Sequence, residues 1–332
     1  MQRQARLSID IHAHFYPLAW LKLVAAKGEA FGAGADAADP DALRLKVGGR
    51  DQPVQRRMVD VDLRVQAMDA AGVGVHALSL TTPMVDWAGA DLAQALAEAY
   101  NDAIAEAHLA HPSRLVGLAA LPWRYPERAV KELERASRHP GIRGAYAPTR
   151  VHDRDLDDEA FRPVFERIEA LGWPLFLHPV SVVEPARLAP FYLTNLLGNP
   201  FESAIAGAKL IFGGVLDRFP KLEVCLPHGG GALPYVVGRL DHGKRVRPEL
   251  KHRERDASAY LGRFYFDTVT HSAKALSYLI DLVGADRVML GSDYCFDMGY
   301  ERPVEVVTGH AGIPAAAQAQ ILGGTARRLL RL

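Results

Sequence analysis

Short apolar or β-branched runs recur along the chain at Leu7–Phe15, Val73–Leu80, Leu115–Leu121, Ile142–Ala147, Leu175–His178, Leu222–Leu226, Phe264–Val269 and Val288–Leu290. They alternate with helical patterns. The segment Asp91–His108 is Ala-rich with apolar residues on a repeating face, and Pro126–Arg138 opens with a proline, a residue suited to a first helical turn. Eight strands separated by helices predict repeated βα units around a parallel sheet. In a chain of 332 residues this reads as an α/β fold, a (β/α)8 TIM barrel, with its chemistry at the C-terminal ends of the strands. An open doubly wound sheet would be expected to carry a Gly-rich phosphate turn after its first strand. This first strand ends instead in His12-Ala13-His14.

Two segments exceed ordinary connection lengths. Residues 17–60, after the first strand, contain the alternating run Leu43-Arg44-Leu45-Lys46-Val47, then Gly48-Gly49, then Arg50–Val54. That pattern predicts a small hairpin inserted over the barrel mouth, with a mobile surface excursion as the competing reading. Residues 180–219 carry Tyr192, Phe201 and a glycine-punctuated helix, which suits a pocket wall. With no internal repeat or linker, residues 1–332 are expected to form one domain, with 17–60 as its insertion.

Composition narrows the partners. The 39 Lys+Arg and 39 Asp+Glu cancel, which argues against a protein dominated by nucleic-acid or membrane-surface binding. Only two cysteines, Cys225 and Cys295, are present, so neither a disulfide scaffold nor a cysteine-built zinc module is expected, and a reducing compartment fits. Met1–Asp10 lacks an apolar signal core and no run of 18 apolar residues follows. The expectation is a soluble cytoplasmic protein.

The 13 histidines carry the candidate chemistry. His12 and His14 are two apart on a strand, so both project to one face, where two imidazoles can chelate a divalent metal. Asp10 shares that face one layer deeper and is expected to position the ligands without ligating. His178 closes the fifth strand and Asp293 the eighth. Three imidazoles and one carboxylate make a donor set suited to zinc or a similar divalent ion, with a position left for water. His228 precedes Gly229-Gly230-Gly231 and suits a general acid or base, though a fifth ligand or a structural histidine remains open. His76 reads as core, and His271 as a possible substrate contact at the mouth. The fourth strand offers no lysine to bridge two metals, so one ion per chain is expected.

The stretches Ile9-Asp10-Ile11-His12-Ala13-His14-Phe15, Leu177-His178-Pro179, His228-Gly229-Gly230-Gly231 and Gly291-Ser292-Asp293-Tyr294 resemble the metal-dependent amidohydrolase superfamily. Asn199-Pro200-Phe201-Glu202 and Gly214–Pro220 resemble its branch around aminocarboxymuconate-semialdehyde decarboxylase. The resemblance implies zinc held by His12, His14, His178 and Asp293, with His228 as the acid/base residue. It implies non-oxidative decarboxylation of an unsaturated or aromatic acid. Hydrolysis of a lactone or amide by a metal-bound water, with Asp293 accepting its proton, is the rival. It further implies a homodimer in which Arg239, in the pair Gly238-Arg239, reaches the neighbouring subunit's site. The family's second substrate-binding arginine falls at Gln52 here, leaving Arg50 as the candidate replacement, and Cys295 stands where the family has proline. Gln cannot supply a bidentate cationic clamp.

Overall fold

A computed structural model describes residues 8–332. The eight predicted strands are present as β1 (Ile9–His14), β2 (Val75–Ser79), β3 (Leu115–Ala120), β4 (Ile142–Pro148), β5 (Leu175–His178), β6 (Val224–Leu226), β7 (Phe264–Asp267) and β8 (Val288–Met289). They hydrogen-bond in chain order, every neighbour parallel. The sheet closes on itself beyond β8. Ala13 bridges to Tyr294, and the Ile11 and His14 amides donate to the Leu290 and Tyr294 carbonyls at 2.9 and 2.7 Å. This is a (β/α)8 barrel.

Helices pack around it because their apolar residues fall on one face. In the helix Ala90–Ala110, Leu92, Leu96, Tyr100 and Ile104 recur every fourth residue and are buried. Each such side chain contributes roughly 1.5–3 kcal/mol by leaving water. The helix predicted from Pro126 ends at Ala136, two residues before the expected Arg138. The helix Val61–Ala71 starts on Asp60, whose carboxylate accepts from the Asp62 and Leu63 amides, an N-cap worth about 1 kcal/mol.

The insertion is more built than a hairpin alone. A helix, Leu18–Lys27, precedes a three-stranded antiparallel sheet of Gly34–Asp36, Arg44–Val47 and Arg50–Pro53. The predicted turn is there. Val47 pairs with Arg50 across Gly48 and Gly49, whose φ values of 60° and 78° are the left-handed pair that a two-residue hairpin turn needs. Leu43 and Leu45 are buried, and Gln55 Nε2 donates to the Cys295 carbonyl at 2.7 Å. That bond ties the end of the insertion to the segment after β8. No helix among the described residues is long and apolar enough to cross a membrane.

Candidate metal centre

The site grows out of the strand ends. β1 pairs with β2 through an irregularity between Asp10 and Ala13, where three steps on β1 meet two on β2. Such a bulge re-aims side chains at a functional edge, and both His12 and His14 turn to the barrel axis. There they meet His178 from the end of β5 and Asp293 from the segment after β8. One ligand atom from each of the four lies within 4.8 Å of all the others, and all four residues are buried.

The donors are arranged for a cation. His12 Nδ1–H donates to Asp267 Oδ2 at 2.7 Å, His178 Nδ1–H donates to the Pro179 carbonyl at 2.8 Å, and His14 Nδ1 pairs with Ser79 Oγ at 3.2 Å. Each imidazole is thus held through Nδ1, which leaves Nε2 for the centre. The Nε2 atoms of His12 and His14 face each other at 3.2 Å, with Asp293 Oδ1 at 3.5 and 2.9 Å from them. Ring nitrogens and a carboxylate oxygen crowded this way, with few protons to share, form the donor set of one divalent ion.

Charge is poised accordingly. Burial alone would lower the His12 imidazole, but the Asp267 hydrogen bond and the charges of Asp293 and Asp267 outweigh it and lift its pKa to about 9. Burial takes His14 down to about 4 and pulls His178 well below the usual imidazole range. Burial would raise the Asp293 carboxyl, yet contacts with His14 and His12 hold it below the ordinary carboxylate value. A divalent ion would replace the proton on His12 and answer the carboxylate.

His228 stands beside this cluster. Its ring centroid is 5.4 Å from that of His12 and 5.6 Å from that of His178. Burial lowers its pKa, and its Nδ1 is buried without a hydrogen-bond partner among the described residues. His228 itself has a φ of 56° and is followed by Gly229, Gly230 and Gly231 at 60°, 79° and 59°. At Gly231 the glycine is obligatory, since a Cβ would lie 1.8 Å from the Pro200 carbonyl oxygen. The resulting turn opens onto a cavity of about 700 Å³ shared by His228, Asp293 and His271. Asn195, Leu196 and Pro200 also line it, so the long segment after β5 does form a pocket wall.

Comparison with known proteins decides the family. The family model described as amidohydrolase matches residues 9–332. The chain belongs to the amidohydrolase family. Within it, the chain is 32% identical over 330 residues to 2-amino-3-carboxymuconate-6-semialdehyde decarboxylase of Dictyostelium discoideum, covering 98% of this chain and 92% of that protein. The solved 5-carboxyvanillate decarboxylase of Sphingomonas paucimobilis matches with a TM-score of 0.85 at 27% identity, over 98% of this chain and 99% of that one. A dihydroxybenzoic acid decarboxylase of Polaromonas, solved with bound manganese and the inhibitor 2-nitroresorcinol, matches with a TM-score of 0.81 at 26% identity, over 98% and 97%. This amidohydrolase sits in the decarboxylase branch that the sequence motifs resemble.

Two carboxylates complete the amidohydrolase site without entering the ligand cluster. Asp10 Oδ1 accepts from the His12 and Ser292 amides at 2.9 and 3.1 Å, and Ser292 Oγ donates to its other oxygen. It therefore clamps β1 to the segment that carries Asp293, and burial lifts its pKa to about 6. The sequence reading missed Asp267. Closing β7, it accepts from His12 Nδ1 and from the His228, Gly229 and Val269 amides at 2.7, 3.0, 2.7 and 3.0 Å. Its signal was available: a carboxylate ending the apolar run Phe264-Tyr265-Phe266, as Asp293 follows β8. Gly291 makes the approach possible, since a Cβ there would lie 2.8 Å from Asp267 Cβ and 3.1 Å from His12 Cβ. Arg64, also unforeseen, is buried whole against the Tyr294 ring and donates to the His14 carbonyl. His76 is core as expected, 3.3 Å from Arg64 and 3.6 Å from Asp10.

The remaining predicted contacts divide. His271 lies at the cavity mouth, its ring 4.8 Å from that of Tyr300. Arg239 does not reach the site of its own chain: it lies exposed on the helix Leu233–Val246, one turn beyond the exposed Tyr235. Arg50 opens the last strand of the insertion sheet, and as a side chain it lies outside the described residues.

Proposed function

We propose that this amidohydrolase decarboxylates a small aromatic or unsaturated carboxylic acid without oxidation, with one zinc ion held by His12, His14, His178 and Asp293. The observation that carries this is the buried convergence of those four donors beside His228, with His228 and Asp293 lining a cavity large enough for such an acid. The bound ion supplies Lewis acidity toward an oxygen of the substrate. Breaking the carbon–carboxylate bond releases carbon dioxide and leaves the electron pair on carbon, so that carbon must gain a proton. His228 holds that proton and delivers it to the vacated carbon. Asp267, through the His228 and Gly229 amides, fixes the turn from which it acts. Zinc is favoured over manganese by the three-imidazole share of the donor set. Incubating the metal-loaded protein with a panel of hydroxybenzoates, resorcylates and muconate-type acids should release headspace carbon dioxide from at least one. A panel that yields none, while a lactone or amide is hydrolysed, overturns the assignment.

The working form we propose is a cytoplasmic homodimer. Both cysteines are free and buried, which suits a reducing compartment. Large apolar side chains that line the cavity stay exposed, namely Leu196, Tyr235 and Tyr278. Tyr235 and Arg239 share one helix face four residues apart, so a copy seated on that face receives Arg239 near its own site, where it would bind a substrate carboxylate. Arg239→Ala should then raise KM strongly with fold and metal content preserved. Mixing Arg239→Ala with His228→Ala subunits should recover about a quarter of wild-type activity, because half the random dimers hold one intact site. No recovery after demonstrated subunit exchange would place Arg239 on a solvated face.

A further inference from the structure

Arg64 is the only buried Lys or Arg among the described residues, with none of its surface open to water. It sits on the helix Val61–Ala71, one turn before Met68 on the same buried face, where an apolar side chain would be expected. No carboxylate among the described residues forms an ion pair with it. Asp10 stands beyond the His76 ring, 3.6 Å from Nε2, while Arg64 Nη1 donates to Nδ1 of that ring at 3.3 Å. A buried guanidinium without an ion pair is costly, so the contacts that hold it carry the explanation. They fall on the seam where the barrel closes. There Ala13 bridges to Tyr294, the His14 amide donates to the Tyr294 carbonyl at 2.7 Å, and the Tyr294 amide donates to the His12 carbonyl at 3.3 Å. Arg64 grips that seam from the helix side. Its Nη2 donates to the His14 carbonyl, and its guanidinium carbon lies 4.7 Å from the centre of the Tyr294 ring and 5.5 Å from that of Phe15. The carbonyl belongs to one member of the donor cluster, and the ring to the residue that follows another, Asp293.

We infer that Arg64 is a positioning residue for the metal centre, which fixes the spacing of His12 and His14 on β1 against Asp293 beyond β8 by holding both sides of the seam. The inference rests on the reading of these residues as metal ligands. A planar guanidinium suits the task, since its edge donates to the His14 carbonyl and to His76 while its face lies over the Tyr294 ring. Its charge acts in the opposite direction. A fixed cation repels a divalent ion held nearby, so a neutral side chain at this position would tighten metal binding if charge were all that Arg64 supplied. Positioning predicts the reverse sign, and the two contributions are thereby separable.

The test is metal binding by the full chain, stripped with a chelator and titrated with Co2+, with Zn2+ affinity read by competition. Arg64→Met keeps the bulk and removes the charge and the donors. It should weaken binding of both ions by about 10–100-fold and alter the visible absorption of the bound Co2+, which reports ligand geometry. Arg64→Lys keeps the charge without the planar face and should recover only part of the loss. Unchanged or tighter binding in Arg64→Met overturns the inference. So does an unaltered Co2+ spectrum with a lowered thermal midpoint, the behaviour of a residue that only stabilises the fold. Full recovery by Arg64→Lys overturns it as well, because a point charge then suffices. Where Arg64→Met does not fold, Tyr294→Leu removes the ring and leaves the guanidinium. It should weaken binding and shift the spectrum in the same sense, and no change in either overturns the inference. A wild-type chain that binds no Co2+ removes the metal-centre reading and this inference together, whereas a wild type that binds it and variants that match it remove this inference alone.

Discussion

Replacing His228 with alanine is expected to lower kcat by roughly 10²–10⁴-fold while one equivalent of metal per chain stays bound. Its ring packs against His12 and His178 but lies outside the four residues whose ligand atoms converge. On the proposed mechanism, its removal therefore takes away the proton carrier and leaves the donor set. His12→Ala and Asp293→Ala should behave differently, losing metal and activity together, because each withdraws a donor from a cluster already limited to four. Elemental analysis of gently purified proteins, run beside steady-state kinetics, separates the two classes. A metal-free His228→Ala protein would make His228 a ligand and would move the proton delivery to another group. Substitution of His228 by glutamine gives a second reading if the alanine protein is unstable, since it fills the same turn with a side chain that carries no titrating ring.

The reason these residues could be picked out of the sequence lies in the geometry of strands. In a parallel barrel every strand exits on the same rim, so a polar residue closing an apolar run is carried to one place whatever its position in the chain. His12, His14, His178, His228 and Asp293 all satisfy that rule, and the structure brings them together across 281 residues of sequence (293 − 12). The barrel itself followed from the same alternation of short runs and amphipathic helices. What sequence pattern does not carry is which strand-end groups hydrogen-bond to which. Asp267 obeys the rim rule as well as Asp293 does, but its function lies in contacts with His12, 255 residues away, and with two amides of a glycine-rich turn. Arg64 was invisible for a related reason: a single arginine in an amphipathic helix reads as a solvated cation, and only the packing against Tyr294 and the His14 carbonyl buries it. The insertion was half legible. Gly48-Gly49 fixed the hairpin, while the third strand Gly34–Asp36 has no alternating apolar pattern to announce it.

Asp267→Ala should damage the enzyme twice. The carboxylate is wholly buried and accepts four hydrogen bonds, one from a ligand imidazole and two from the turn that carries His228. Its loss leaves His12 Nδ1–H and the buried amides without a partner, each costing about 1–3 kcal/mol. Freed from Asp267, the His12 imidazole can rotate or change tautomer, and metal affinity should fall by roughly 10–100-fold. That part of the loss is restored by adding metal. The second part is not, because the His228 and Gly229 amides no longer have an acceptor to hold their left-handed turn, and the proton carrier moves with them. At saturating metal kcat should therefore remain at least about tenfold below wild type, a loss of roughly 1.4 kcal/mol in transition-state stabilisation. Asp267→Asn provides the milder test. Its amide keeps one oxygen for these donors but turns an N–H2 group towards others, so it should show the same two-part pattern at smaller amplitude and with a folded circular dichroism spectrum. Full recovery of kcat by metal alone in both variants would confine Asp267 to orienting His12 and remove it from the positioning of His228.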